Sequence, residues 1–171
     1  MSETSRCRER LTPFCSGSGV DVGFGGDPIK RDSITVDLVR PYTQVGIKPR
    51  HLSVEEGGMP WLTRWFAPRS LDYVFSSHLI EDFTYCDQRQ IIEDWMTVTR
   101  KGGVIVLYQP DQQAFEAHCR RTGQGLNAAH KERDYSLETF KRRVIWPLNL
   151  RVLHEDPAVE DYSWEIVLEK L

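Results

Sequence analysis

The stretch Gly19–Asp37, GVDVGFGGDPIKRDSITVD, decides how the chain is to be read. Two runs, GVDVGF and SITVDLV, alternate apolar and polar residues around a cluster formed by Gly23, Gly25 and Gly26. β-branched residues in that alternation predict a strand on each side. Glycines directly after a strand let backbone approach a ligand closely, and an acid ending the next strand, here Asp37, is placed to accept hydrogen bonds from both hydroxyls of a ribose. Taken alone, the cluster reads equally as a tight turn and Asp37 as a strand-end cap. Two nucleotide fingerprints fail. In G-x-G-x-x-G counted from Gly23 the sixth position is Pro28, and the acid follows 14 residues after Gly23, short of the usual ~20. G-x-x-x-x-G-K-[ST] does not occur.

Working outward, strands alternate with helices. RHLSV predicts a weaker third strand and SLDYVFSSH a fourth. Pro41-Tyr42 closes the second strand. In DQRQIIEDWMTVTRKGG, Asp87 is the expected N-cap, Ile91, Ile92, Trp95, Met96 and Val98 form an apolar face, and Gly102 ends the helix behind Arg100 and Lys101. GVIVLYQ carries five apolar residues in seven, a density suited to a strand covered on both faces. Asp111 starts a helix through about Arg121, and Ser136 caps another through about Ile145, stopped by Pro147. NLRVLHE and SWEIVLEKL, separated by the polar loop DPAVEDY, predict an antiparallel hairpin. The pattern predicts an α/β, three-layer sandwich over residues 1–171 as one domain, its seven-stranded sheet mostly parallel with an antiparallel C-terminal hairpin.

Composition narrows the function classes. The 171 residues hold 22 Lys+Arg against 25 Asp+Glu, a net charge of −3, with no basic block of the kind that binds nucleic acid avidly. Cys7, Cys15, Cys86 and Cys119 form no C-x-x-C pair, so reduced thiols in a cytoplasmic protein are expected. No apolar run reaches the ~20 residues that span a bilayer, and the first residues, MSETSRCRERL, lack the apolar core of an export signal. No His/Cys/Asp cluster indicates a metal.

Four motifs in chain order then carry a resemblance. DVGFGG, ITVDL, SLDYVFSSHLIED and VTRKGGVIVLYQ resemble the glycine motif, the ribose-binding strand end, the fourth-strand motif and the helix–Gly-Gly–fifth-strand unit of the class I S-adenosylmethionine-dependent methyltransferases. The resemblance covers roughly residues 17–171 and implies a Rossmann-like fold, S-adenosyl-L-methionine as cofactor, and transfer of its methyl group to an O or N nucleophile. It places Asp21, Gly23, Phe24, Gly25 and Gly26 in the cofactor loop, Asp37 and Leu38 at the ribose, and Ser76 and Ser77 beneath the cofactor. The adenine-side acid is Glu55 or Glu56, with Glu55 the candidate. His78, just after the fourth strand, is the candidate acceptor-side base, against the alternative of a histidine that only bonds the sheet edge.

The pattern departs from the family at Asp27, which stands where a third glycine is usual, and in DPIKRDS, which leaves little room for a first helix. Those departures keep open a catalytically silent binding or scaffold subunit on the same fold. The expected acceptor is a small molecule or saccharide. In MPWLTRWFAP, the spacing of Trp61, Leu62, Trp65 and Phe66 predicts one face of a short helix, either packed on the sheet or partly exposed as an acceptor cover or homodimer contact.

Overall fold

A computed structural model describes residues 2–39, 50–146 and 148–171. Pro41-Tyr42 and Pro147, read above as strand and helix stops, lie outside the described residues. The strands are β1 (Gly19–Val22), β2 (Ile34–Leu38), β3 (His51–Val54), β4 (Leu71–Ser77), β5 (Thr99–Pro110), β6 (Leu150–Val159) and β7 (Ser163–Lys170). They form a seven-stranded sheet in the order β3-β2-β1-β4-β5-β7-β6. Neighbours from β3 to β5 are parallel, and β7 runs antiparallel to both β5 and β6. Strand order reverses between β1 and β4. A crevice therefore opens beyond their carboxyl ends, where sheets of this kind take their ligands.

The helices are α1 (Glu3–Leu11), α2 (Tyr85–Val98), α3 (Gln112–Thr122) and α4 (Leu137–Phe140). On one face of the sheet, Val20, Val36, Val74 and Leu107 pack with Ile91 and Trp95 of α2 and with Phe140 of α4. On the other face, Cys7 and Leu11 of α1 cover Tyr73, Phe75, Val106 and Tyr108. This two-sided burial explains the apolar density of GVIVLYQ. Cys7, Cys15 and Cys119 are buried, Cys86 is exposed, and all four are free.

Local chemistry moves several boundaries from their expected places. The N-cap of α2 is Thr84, not Asp87: Thr84 is extended, and its hydroxyl accepts from the Asp87 amide at 3.3 Å. The helix ends at Val98 because Thr99 already pairs with Leu71 as β5 begins, so Arg100 bonds Asp72 across the sheet instead of a helix end. Ser136 does cap α4 through a reciprocal capping box with Thr139, and the coil continues as a π-helical turn, Lys141–Ile145. The hairpin loop shrinks to Glu160–Tyr162, since β6 resumes pairing after register shifts and reaches Ser163 from Val159.

The aromatic segment MPWLTRWFAP forms a 3-10 turn, Leu62–Arg64, in place of the expected short helix. Asp94 of α2 accepts from the amides of Leu62 and Thr63, pinning the turn to the domain body. Leu62 is buried, and Trp61, Trp65 and Phe66 pack half-buried against the core. The Trp95 indole N–H donates to Pro60 carbonyl at 3.0 Å from beneath. Trp95→Ala is expected to lower stability by about 3–5 kcal/mol, while Trp146→Ala, at a side chain 77% exposed, stays within about 0.5 kcal/mol of wild type. Chemical denaturation checks both, and equal losses would contradict the placement of the core.

Candidate functional site

A cleft of about 480 Å³ lies beyond the carboxyl ends of β1, β2 and β3. Its floor is Val22, Gly23, Val36, Asp37, Leu38 and Val54. One wall is Glu56–Pro60, the connection after β3, and the opposite wall is Leu79, Asp82, Phe83, Thr84 and Asp87 after β4. Ala129 and Lys131 close the rim from the connection between α3 and α4. That volume falls within the ~300–1,000 Å³ typical of small-molecule sites.

The glycine loop is held as a ligand cradle. Gly23 (φ 72°) donates its amide to Val36 carbonyl at 2.8 Å, tying the loop to the neighbouring strand. Asp37 accepts from the Gly25 amide at 2.8 Å and from its own neighbour Leu38 at 2.6 Å. Each carboxylate oxygen has a second lone pair, so Asp37 retains acceptor capacity on the cleft floor. Asp82 adds a buried oxygen, Oδ1, with no hydrogen-bond partner. Burial pushes the Asp82 carboxyl up to about 6, with Lys131 pulling it back.

Of the expected site residues, Gly23, Asp37 and Leu38 line this cleft. Gly25 touches it through Asp37. Of the two acids after β3, Glu56 lines the cleft and Glu55 does not. Phe24 and Gly26 are buried in the turn, with Phe24 against the His51 ring at 5.4 Å. Asp21 is fully buried and accepts from the Ile29 amide at 2.6 Å, so it fixes the return path of the loop instead of lining the cleft. Ser76 and Ser77 are buried with unpartnered hydroxyls, and neither lines the cleft. Asp82, Phe83 and Lys131 escaped the sequence reading, because they belong to irregular connections without periodicity.

Asp21 makes stability depend on pH. Burial, reinforced by Asp37 and opposed by the Ile29 amide, pushes its carboxyl from an ordinary 3.8 up to about 8. The folded chain then holds a proton that the unfolded chain releases. The stabilisation is complete below about pH 4 and is lost as pH rises toward 8. Asp21→Asn is expected to flatten this fall, and melting temperatures at pH 5 and pH 8 check it. A variant that loses stability with pH as steeply as wild type would refute the assignment.

Asp27, standing where a third glycine is usual, has a structural use. It receives the Arg8 guanidinium at 2.5 Å and the Ser2 hydroxyl at 2.5 Å, and Arg8 also donates to Pro28 carbonyl at 3.1 Å. The glycine loop is thereby latched to α1. At the start of α1, Glu3 accepts from the Tyr162 hydroxyl at 2.8 Å and lies 3.5 Å from His78 Nε2.

His78 (φ 49°) does not line the cleft. Its ring packs against Tyr108 and Tyr162, and its Nε2 is 3.3 Å from Ser163 Oγ. Burial, with His130 and Arg6 nearby, pushes the imidazole down to about 3. It is therefore uncharged near neutral pH and a weaker proton acceptor than an ordinary histidine, which removes the ground for choosing it as the base.

No protein-family model and no curated protein sequence matches the chain. Solved structures do match, over nearly its whole length. An S-adenosylmethionine-dependent methyltransferase from Archaeoglobus fulgidus aligns with a TM-score of 0.73 at 15% identity, covering 98% of this chain and 92% of that one. The glycopeptide N-methyltransferase MtfA, complexed with sinefungin, aligns at 0.68 and 13% identity over 100% and 95%. Magnesium protoporphyrin IX methyltransferase from Synechocystis, with bound S-adenosylhomocysteine, aligns at 0.63 and 9% identity over 98% and 82%. At these identities the likeness is one of architecture. The sheet order, the reversed seventh strand and these neighbours together give the chain the fold of the class I S-adenosylmethionine-dependent methyltransferases.

Proposed function

We propose that the chain is a single-domain methyltransferase that binds S-adenosyl-L-methionine in the cleft and transfers its methyl group to an O or N nucleophile. One observation carries this: Asp37 ends β2 on the cleft floor, its carboxylate joined to the glycine loop through the Gly25 amide, beside the reversal of strand order. Asp37 would hold the ribose hydroxyls, Glu56 would face the adenine, and the backbone at Gly23 would lie against the methionine part. When bound, the cofactor supplies an activated methyl group on a sulfonium. The protein supplies alignment, which accounts for much of the rate in such transfers.

A small-molecule or saccharide acceptor is favoured over a nucleic acid. The cleft is lined by Asp37, Glu56, Asp82 and Asp87 against one lysine, Lys131, a poor surface for a polyanion. Among the described residues no helix is long and apolar enough to cross a membrane. With its free thiols, the protein fits a cytoplasmic setting. The silent-subunit reading rested on Asp27 and on the short DPIKRDS segment; Asp27 anchors α1, while no helix stands between β1 and β2, so label transfer separates that reading from the enzyme. Calorimetric titration with S-adenosylhomocysteine, followed by an acceptor screen with methyl-labelled cofactor, tests the proposal. Saturable binding and label transfer are expected; a folded protein that binds no S-adenosylhomocysteine would overturn it.

A further inference from the structure

The acids that line the cleft differ in what already occupies them. Asp37 takes the Gly25 and Leu38 amides, and Asp87 accepts from the Thr84 hydroxyl at 2.7 Å. Asp82 stands in the wall after β4 with Oδ1 buried and without a hydrogen-bond partner, and among the described residues no group donates to its other oxygen. Burying a carboxyl that receives no donor is costly, so this one calls for a partner from outside the chain.

Lys131 stops short of it. From the cleft rim its charge draws the Asp82 carboxyl toward ionisation, yet among the described residues no hydrogen bond or ion pair joins the two side chains. Backbone contacts hold both in place: the Lys131 amide donates to Glu81 carbonyl at 3.0 Å, and the Asp82 amide to Leu79 carbonyl at 3.2 Å. A carboxylate and an ammonium thus line one cleft within electrostatic reach of each other and unpaired. That arrangement matches a zwitterion, whose ammonium meets the carboxylate and whose carboxylate meets the ammonium.

The order of the strands says which zwitterion. Glu56 follows β3, Asp37 ends β2, Gly23 follows β1 and Asp82 follows β4, and these strands are neighbours in the order β3-β2-β1-β4, about 4.8 Å apart. A nucleoside with its base at Glu56 and its ribose at Asp37 therefore directs its 5′ substituent past Gly23 toward the turn after β4. Turn and glycine are in close contact there, since a Cβ on Gly23 would lie 2.9 Å from the Leu79 Cβ. In S-adenosylmethionine the 5′ substituent ends in an α-amino acid.

We propose that Asp82 binds the α-ammonium of the cofactor's methionine part and Lys131 its carboxylate. This rests on the methyltransferase reading above. The two side chains fix the far end of the cofactor, and with it the direction in which the methyl group points. The glycine loop's own acids are committed elsewhere: Asp21 accepts from the Ile29 amide, Asp27 is latched to Arg8, and neither lines the cleft.

S-adenosylhomocysteine isolates the contact, because it keeps the amino acid and lacks the charged sulfonium. Calorimetric titrations at pH 8, above the value of about 6 to which burial pushes Asp82, compare it with its deaminated analogue, which keeps the carboxylate, and with 5′-methylthioadenosine, which lacks both groups. Wild type is expected to bind the deaminated analogue about 10- to 100-fold more weakly than S-adenosylhomocysteine. Asp82→Asn should lose the same factor on S-adenosylhomocysteine and stay within about twofold of wild type on the other two ligands. Lys131→Met should weaken S-adenosylhomocysteine and the deaminated analogue alike, by about 3- to 5-fold because the side chain is exposed, and leave 5′-methylthioadenosine unchanged. Equal affinity of wild type for S-adenosylhomocysteine and the deaminated analogue overturns the proposal without any variant, so an Asp82→Asn protein that fails to fold does not shelter it. Wild-type affinity for S-adenosylhomocysteine in folded Asp82→Asn, or a parallel loss of all three ligands, overturns it as well, and an unchanged Lys131→Met removes the carboxylate half. A wild type that binds none of the three would bring down the methyltransferase reading instead.

Discussion

Asp37→Ala is expected to weaken S-adenosylhomocysteine binding by about 30- to 1,000-fold, the equivalent of about 2–4 kcal/mol. The size follows from what the carboxylate does at its strand end. It lines the cleft floor with one free lone pair on each oxygen, enough to receive both hydroxyls of a ribose. It also accepts from the Gly25 amide, so removing it releases the glycine loop as well as the ligand. Asp37→Asn keeps one acceptor oxygen and should fall between the alanine variant and wild type. Calorimetry on folded protein checks the series, and unchanged affinity in the alanine variant would refute the ribose assignment.

Gly23→Val is expected to abolish cofactor binding and to cost about 2–5 kcal/mol of stability. Gly23 sits at φ 72°, where a β-branched residue is strained. A Cβ there would also lie 2.9 Å from the Leu79 Cβ. That neighbour is close to its own backbone and cannot swing aside, so the turn after β4 must shift and carry the cleft wall with it. Gly25 supplies the contrast. At φ 58° a Cβ on it meets nothing within 4 Å, so Gly25→Ala meets only the backbone penalty of about 1–2 kcal/mol. Denaturant unfolding and calorimetry on both variants check the difference. A Gly23→Val protein as stable as Gly25→Ala would show that Leu79 does not stand where the structure puts it.

Much of the architecture was legible in the chain because strand and helix periods are local. GVDVGF, SITVDLV and GVIVLYQ announce strands, the last of them covered on both faces, and the helix face of Ile91, Trp95 and Val98 packs as its spacing indicates. Boundaries were less legible where a tertiary partner decides them. Thr99 leaves the helix because Leu71 awaits it, and the Trp61–Phe66 turn is short because Asp94 pins its amides. The floor of the site was read from glycine spacing and a strand-end acid. Its walls were not, since Glu56, Asp82 and Lys131 join segments far apart in sequence without a repeating pattern. His78 misled for a related reason: its place after a strand is local, while the burial that makes it a weak base comes from Tyr108, Tyr162 and α1.

A crystal structure of the protein with S-adenosylhomocysteine tests the central claim most directly. The adenosyl group should occupy the cleft beyond β1, β2 and β3, with both ribose hydroxyl oxygens about 2.5–3.0 Å from the Asp37 carboxylate and the ligand backed by Gly23. An empty cleft at saturating ligand, or a ligand bound elsewhere with Asp37 untouched, would contradict it.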